Sequence, residues 1–256
     1  MDTVPLFAVL GLGEAGTRLL TDLRRAGARV QGFDPAPNRP VPSEFVMESV
    51  QSAVRDATVV LSVNSASVAG DVARQAAECL MPGALFADLN TSSPDLKRTL
   101  AGIIQSGEGS FVDVALMGPV PRAGLRTECL AAGDGADRFA HILAPFGMPV
   151  TVVPGGAGAA AERKLVRSIF MKGLAAACLE TQSAARKLGL ENWALAEMTA
   201  ELKRADAALL DRLLTGSQMH AKRRVAEMAA TVEMEESLDI TPYIARAAKA
   251  WLETLA

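Results

Sequence analysis

The sequence of 256 residues predicts an α/β protein, in which a doubly wound sheet is followed by a long inter-domain helix and a small all-helical domain. Three observations lead to this prediction. Short apolar runs alternate with helical patterns up to residue 153, as they do where helices join the strands of a parallel sheet. The segment 159–188 then has no proline and no strand pattern. Helical patterns alone fill the rest of the chain.

The first strand leads into a turn rich in glycine. Residues 6–10 form a continuous apolar run, which is typical of a strand buried on both faces of a parallel sheet. Leucines at helical spacing follow the turn and predict a helix that stops at Gly27. A second strand, over 28–33, ends at Asp34, at about the 20-residue spacing expected of a ribose-binding acid. The turn itself consists of Gly11, Leu12, Gly13, Glu14, Ala15 and Gly16.

This context matches the dinucleotide-binding fingerprint of a Rossmann-type domain. Gly11 permits the tight turn, Gly13 lets a pyrophosphate approach the backbone, and Gly16 lets the helix pack close to the strand. Asp34 is suited to accept hydrogen bonds from a ribose diol and to repel a 2′-phosphate, which favours NAD over NADP. Arg39 is near enough in sequence to bind that phosphate, so NADP stays open. An ordinary strand–turn–helix is the simpler alternative for the glycines alone.

The remaining elements follow in order along the chain. Four prolines in residues 35–42 predict an extended loop. Helices are predicted over 49–56, 66–80, 96–105 and 159–188. Strands are predicted over 57–63, 84–89, 110–116, 129–132 and 150–153. The later helices are predicted to break near 214–217 and near Asp239. We divide the chain into a dinucleotide-binding domain, 1–157, and a helical substrate and dimerisation domain, 158–256.

Composition narrows the range of functions. Half of the residues are hydrophobic, but no window of 18 residues is uninterruptedly apolar, which argues against a membrane span. The chain starts without the basic region of a signal peptide, so we expect a cytoplasmic protein. A net charge of −3 gives no general attraction to nucleic acid. Cys79, Cys129 and Cys178 lack the spacing of metal ligands, so we expect buried thiols and no metal.

Polar residues follow several predicted strands. Asn64, Asn90 and Thr91 lie at carboxyl ends, where open α/β sheets bind ligands. Ordinary turn and cap chemistry is the alternative for each. Together with Val63, they complete the predicted cofactor site.

Four motifs, in order, resemble those of the β-hydroxyacid dehydrogenase and phosphogluconate dehydrogenase superfamily. The glycine turn looks like its opening loop, and residues 88–94 look like its D-x-S-T-x-x-P segment beside the nicotinamide. Residues 111–118 look like its substrate-binding segment, normally D-A-P-V-S-G-G. Residues 155–166 look like its glycine-led helix with the catalytic lysine, here Lys164. The sequence is also similar to a poorly characterised branch with a short C-terminal domain like that of phosphogluconate dehydrogenases.

The resemblance implies an NAD(P)-dependent oxidoreductase that moves hydride between the nicotinamide and a secondary alcohol or its carbonyl. Lys164 would give or take the proton. The substrate would be small and anionic, like a hydroxyacid. Two departures from the family pattern affect the predicted substrate site. The family's serine-glycine-glycine aligns with Met117, Gly118 and Pro119, and the family's asparagine aligns with Ser168. The predicted substrate site consists of Met117, Gly118, Arg167, Ser168, Lys172, His220 and Arg223.

Other interpretations stay open. Lys164, Arg167 and Lys172 could form a solvated basic stripe, and His220 with Arg223 could belong to a solvated basic face. An imine reductase shares the architecture but usually lacks the lysine, and a nucleotide-binding regulatory protein would have no turnover. The helical domain is small for its long helix, so we expect it to complete its core in a homodimer.

Overall fold

The computed structural model describes residues 4–37 and 41–256. Within these residues, seven strands form one sheet in the order β2-β1-β3-β4-β5-β6-β7. The strands are β1 (Leu6–Leu10), β2 (Arg29–Phe33), β3 (Val59–Ser62), β4 (Leu85–Asp88), β5 (Ser110–Leu116), β6 (Cys129–Ala132) and β7 (Val150–Val152). Neighbouring strands pair in parallel except β5 and β6, which are antiparallel. The predicted doubly wound sheet is confirmed.

Helices cover both faces of this sheet and continue beyond it. In the described residues they are α1 (Glu14–Arg25), α2 (Val50–Val54), α3 (Ala69–Ala77), α4 (Pro94–Ser106), α5 (Val120–Ala123), α6 (Ala136–Leu143), α7 (Ala159–Leu188), α8 (Glu191–Lys203), α9 (Ala207–Met219), α10 (Ala221–Ser237) and α11 (Tyr243–Glu253). Every residue of β1, β3 and β4 is buried, as expected of strands covered on both faces. Separate apolar clusters fill the two faces.

Helix starts follow local capping chemistry. The Ser49 side chain accepts from the third residue of α2 in a reciprocal capping box, and Ser93 caps α4 with proline at the first helical position. Helix α4 therefore starts six residues after the last residue of β4, Asp88. The same edge of the sheet carries the ends of β1 and β3.

The chain divides into two compact units, Met1–Val166 and Arg167–Ala256, with the division inside α7. The division predicted from the sequence, at residues 157 and 158, stays a prediction. Gly189, at a φ of 70°, follows the last residue of α7, where a glycine in the left-handed region commonly ends a helix. In the described residues, no helix has both the length and the apolar character needed to span a membrane.

The helix break predicted near residues 214–217 is wrong. Helix α9 continues through this segment. The hydroxyls of Thr215 and Ser217 donate to carbonyl oxygens one turn earlier, at 2.6 and 2.5 Å, so these polar side chains find partners within the helix. The breaks lie instead before Asp206, which caps α9, and at His220, between α9 and α10. The predicted break near residue 239 is confirmed.

Two glutamates lie together in the helical unit. Glu180 of α7 accepts hydrogen bonds from the backbone N–H groups of Ile244 and Ala245, the second and third residues of α11, at 2.7 and 2.8 Å. Glu235 of α10 is buried, and its Oε2 has no hydrogen-bond partner among the described residues. Burial, and then the charge of Glu180, raise the pKa of Glu235.

Large apolar side chains stand on the surface of the helical unit. Eight of them are between 61% and 77% exposed: Ile169, Phe170, Leu179, Trp193, Leu214, Met219, Tyr243 and Trp251.

The three cysteine thiols are free, and burial raises the pKa of Cys129 to about 12, which makes this thiol unreactive. Cys79 and Cys178 are only partly buried.

Candidate active site

The glycines of the first turn have different structural roles. Gly11 has a φ of 102°, and a Cβ there would lie 2.5 Å from the carbonyl oxygen of Val63. A Cβ on Gly16 would lie 1.8 Å from the carbonyl oxygen of Gly11. A Cβ on Gly13 would have no atom within 4 Å among the described residues. The fold therefore requires glycine at 11 and 16, whereas at 13 it leaves an open space.

A cavity of about 600 Å³ lies beside this turn. Five predicted cofactor residues line it: Gly11, Gly13, Asp34, Val63 and Asn64. Helix α1 starts here, and no side chain of the described residues caps its N-terminus. An uncapped helix N-terminus beside open space suits a pyrophosphate, since the backbone dipoles there attract negative charge. The residues present thus fit a dinucleotide. Glu14 and Ala15 belong to the first turn of this helix.

Backbone N–H groups hold the carboxylate of Asp34. Its Oδ2 accepts from Leu12 N at 2.7 Å, and its Oδ1 accepts from Ala36 N at 2.9 Å. Leu12 buries its side chain in the core, so it contributes to the site through this bond to the acid. Asp34 is fixed at the end of β2 and lines the cavity. Arg39 lies outside the described residues.

Side-chain amides connect the ends of β3 and β4. Asn90 Nδ2 lies 3.0 Å from Asn64 Oδ1 and 2.5 Å from Asp88 Oδ1. Asn64 Nδ2 donates to Ser62 Oγ at 3.1 Å. The structure therefore brings Asn64 and Asn90 together, and through them it joins the cofactor cavity to the turn after β4.

Lys164 reaches the same turn from α7. Its Nζ donates to Thr91 Oγ1 at 2.8 Å. Both residues line a narrow cleft with Asn90 and Leu165. Ser92 also lines the cleft; it is buried, and its hydroxyl has no partner among the described residues. Sequence reasoning missed Ser92, although its position directly after Thr91 is a signal that could have suggested it.

A buried lysine, Lys97, also lines this cleft. Lys97 Nζ donates to the carbonyl oxygen of Asp88 at 2.7 Å. It also forms ion pairs with Asp88 Oδ2 at 2.7 Å and Asp113 Oδ1 at 3.1 Å, although neither pair has the alignment of a hydrogen bond. Removing one partner of a buried ion pair costs about 3–5 kcal/mol, because the other charge stays in the core. Lys97 thus ties α4 to β4 and β5.

Asp113 in turn caps α7. Its Oδ2 accepts from the backbone N–H groups of Gly158, Ala160 and Ala161, each at 3.0 Å. A carboxylate at a helix N-terminus pairs with otherwise unsatisfied N–H groups and with the helix dipole. The helix that carries Lys164 therefore begins at a buried acid of β5.

The predicted substrate residues are distributed over both units. Met117 packs on the small apolar cluster of Ala115, Ala132, Ala159 and Ala160, and Gly118 is exposed. In the second unit, Arg167 and Lys172 are exposed on α7, and Ser168 is half-buried. His220 and Arg223 share a separate cavity of about 360 Å³, where Arg223 also pairs with Glu227 at 3.1 Å. The described residues contain no group of three or more potential metal ligands.

Family models match both parts of the chain. Residues 6–155, more than half of the sequence, match the NAD-binding domain of 6-phosphogluconate dehydrogenase. The chain belongs to this family. Residues 185–255 match a second model, a domain of unknown function designated DUF1932. The superfamily resemblance predicted from the motifs is confirmed.

Individual relatives agree with this assignment. A protein of Mycobacterium tuberculosis named a probable 3-hydroxyisobutyrate dehydrogenase is 28% identical over 194 residues, which are 72% of this chain and 65% of that protein. A solved structure described as similar to 3-hydroxyacid dehydrogenases is 29% identical, with a TM-score of 0.65 over 98% of this chain and 96% of that one. The chain thus has the NAD-binding fold of 3-hydroxyacid dehydrogenase-like proteins.

An imine reductase has a similar fold. The enzyme of Myxococcus stipitatus, solved in complex with NADP⁺, gives a TM-score of 0.85 over 98% of this chain and 93% of that one. Its sequence identity is 17%, so the likeness concerns the fold alone.

We expect Gly13→Val to abolish dinucleotide binding and to preserve the fold. A Cβ at residue 13 meets no atom of the described residues within 4 Å, so the new side chain extends into the open space beside the α1 N-terminus. Isothermal titration with NADH is the measurement, and a micromolar dissociation constant, about −8 kcal/mol, is expected for the unaltered chain. Circular dichroism checks the fold. Unchanged NADH binding in Gly13→Val would place the cofactor elsewhere.

Proposed function

We propose that this protein is an NAD(P)-dependent oxidoreductase that acts on a secondary alcohol or its carbonyl. The observation that carries the proposal is the hydrogen bond between Lys164 Nζ and Thr91 Oγ1, at 2.8 Å. Thr91 follows Asn90, which bonds Asn64 at the edge of the cavity that suits a dinucleotide. A proton-carrying amine and a cofactor site therefore share one edge of the sheet.

In this reaction the bound nicotinamide supplies or receives hydride at the substrate carbon. Lys164 gives a proton to the substrate oxygen during reduction and takes it back during oxidation. Each turnover therefore transfers one hydride and one proton in the same direction. Thr91 orients the amine by accepting a hydrogen bond from it.

The substrate we propose is a small anion like a hydroxyacid. Arg167 and Lys172 are exposed cations on the helix that carries Lys164, and His220 and Arg223 add basic groups. Met117 packs into an apolar cluster instead of presenting the family's serine hydroxyl. We therefore propose that the substrate is anionic and that basic groups recognise its charge.

We propose NAD as the preferred cofactor. The Asp34 carboxylate is held at the end of β2 by two backbone N–H groups and faces the cavity. A 2′-phosphate would bring a second negative charge next to it. We expect NADH to bind at least about tenfold more tightly than NADPH in parallel titrations, a difference of about 1.4 kcal/mol. Equal affinities would contradict this assignment.

Imine reduction is the second candidate, favoured by the likeness in fold to the imine reductase of Myxococcus stipitatus. Lys164 argues against it, because the resemblance places a lysine at this position in the hydroxyacid enzymes and not in imine reductases. A nucleotide-binding regulatory protein without turnover is the third. Screening NAD(P)H oxidation and NAD(P)⁺ reduction against hydroxyacids, polyols and imines distinguishes the three.

We expect Lys164→Ala to lower the rate of hydride transfer by roughly a hundredfold to ten-thousandfold, as loss of one general acid–base group does. Lys164→Arg should not restore the rate, since a guanidinium keeps the charge but does not release a proton at working pH. Single-turnover hydride transfer, with the substrate that the screen identifies, is the measurement.

Titration with NADH is the control for these variants, because the glycine turn holds the cofactor phosphates without Lys164. Activity in Lys164→Arg close to that of the unaltered chain would show that orientation by charge is sufficient. Full activity in Lys164→Ala would remove the proposed mechanism and favour imine reduction.

We also propose a homodimer built from residues after 159. The helical unit exposes eight large apolar side chains, which a second copy of the chain would cover in a dimer. Light scattering at micromolar concentration should give twice the chain mass of 26.8 kDa. Ile169→Glu with Phe170→Glu should reduce that mass, whereas Met81→Glu, at an exposed position of the first unit, should not. A folded monomer would contradict the proposal.

A further inference from the structure

Helices α4 and α7 are joined twice, once inside the protein and once at its surface. Inside, Lys97 Nζ lies 3.1 Å from Asp113 Oδ1, while the other oxygen of this acid caps α7. At the surface, Arg98 reaches Glu162 at 3.4 Å. The two links start from adjacent residues of α4, but one is fully buried and the other is exposed.

The buried link reaches both sides of the contact between Lys164 and Thr91. Lys97 Nζ donates to the carbonyl oxygen of Asp88, the last residue of β4 and three residues before Thr91. Through Asp113 it also holds the first turn of α7, which carries Lys164 just beyond it. One ammonium group therefore fixes the backbone on both sides of the 2.8 Å hydrogen bond.

We propose that Lys97 is a positioning residue, which holds Lys164 against Thr91 without contacting substrate or cofactor. This inference rests on the proposed acid–base role of Lys164. A lysine that merely stabilised the fold would leave the Lys164 amine unchanged in any variant that still folds. The two roles thus differ in the reactivity of the Lys164 amine, which can be measured without a substrate.

The test is the rate at which acetic anhydride acetylates Lys164, followed by mass spectrometry of its peptide over a range of pH. The exposed Lys187, in the last turn of the same helix, is the internal reference. The test variant carries two substitutions, Lys97→Met and Asp88→Asn. They remove both charges of one buried ion pair and keep Asp113, which caps α7. Thr91→Ala shows the rate expected when the hydrogen bond is absent.

We expect the ratio of Lys164 to Lys187 acetylation in the double variant to rise roughly threefold to tenfold, toward that of Thr91→Ala, as when a charge-assisted hydrogen bond is lost. The pH profile should change with it. Arg98→Ala is the matched control: it removes the surface link between the same helices, and the ratio should stay within about twofold of the unaltered chain, as is usual for an exposed pair. Circular dichroism and NADH titration check the fold.

Asp113→Asn gives a second test if the double variant does not fold. It keeps the size of the side chain and a carbonyl acceptor for α7, and it removes the charge that faces Lys97. An unchanged acetylation ratio in a folded variant, or an equal rise in Arg98→Ala, would overturn the positioning role. Full activity in Lys164→Ala would instead overturn the proposed function, whatever the acetylation ratio.

Discussion

The candidate active site depends on a charge cluster inside the sheet domain. Lys97 enters the core from α4 and neutralises acids of two neighbouring strands, Asp88 and Asp113. Without the ammonium, two carboxylates would remain in the core, and a buried unpaired charge costs about 3–5 kcal/mol. This is a large part of the roughly 5–15 kcal/mol by which a typical protein is stable. The turn after β4 and the start of α7 thus share one anchor.

The sheet and the long helix could be predicted closely because local sequence determines them. Uninterrupted apolar runs mark strands buried on both faces, and β5, β6 and α7 begin and end where the patterns predicted. The break predicted near 214–217 was wrong because glycine and hydroxyl side chains weaken a helix without necessarily ending it.

The site could be predicted only where a motif marks it. Gly13, Asp34 and Asn64 belong to local patterns, and they share one cavity. Lys97 and Asp113 were missed because their roles arise from contacts between distant segments. A signal existed: Lys97 precedes Leu100 and Ile104 at helical spacing, so a charged residue lies in the apolar stripe of α4. Which acid it meets depends on the packing of α4 on the sheet.

The cap of α7 has a consequence for the order of folding. Most helices are capped by a residue next to them, so the first turn can form locally. Here the cap is Asp113, which lies 45 residues before Gly158 in the sequence. The first turn of α7 therefore completes its hydrogen bonds only after β5 has joined the sheet. We therefore expect the strands to assemble before the step that fixes Lys164.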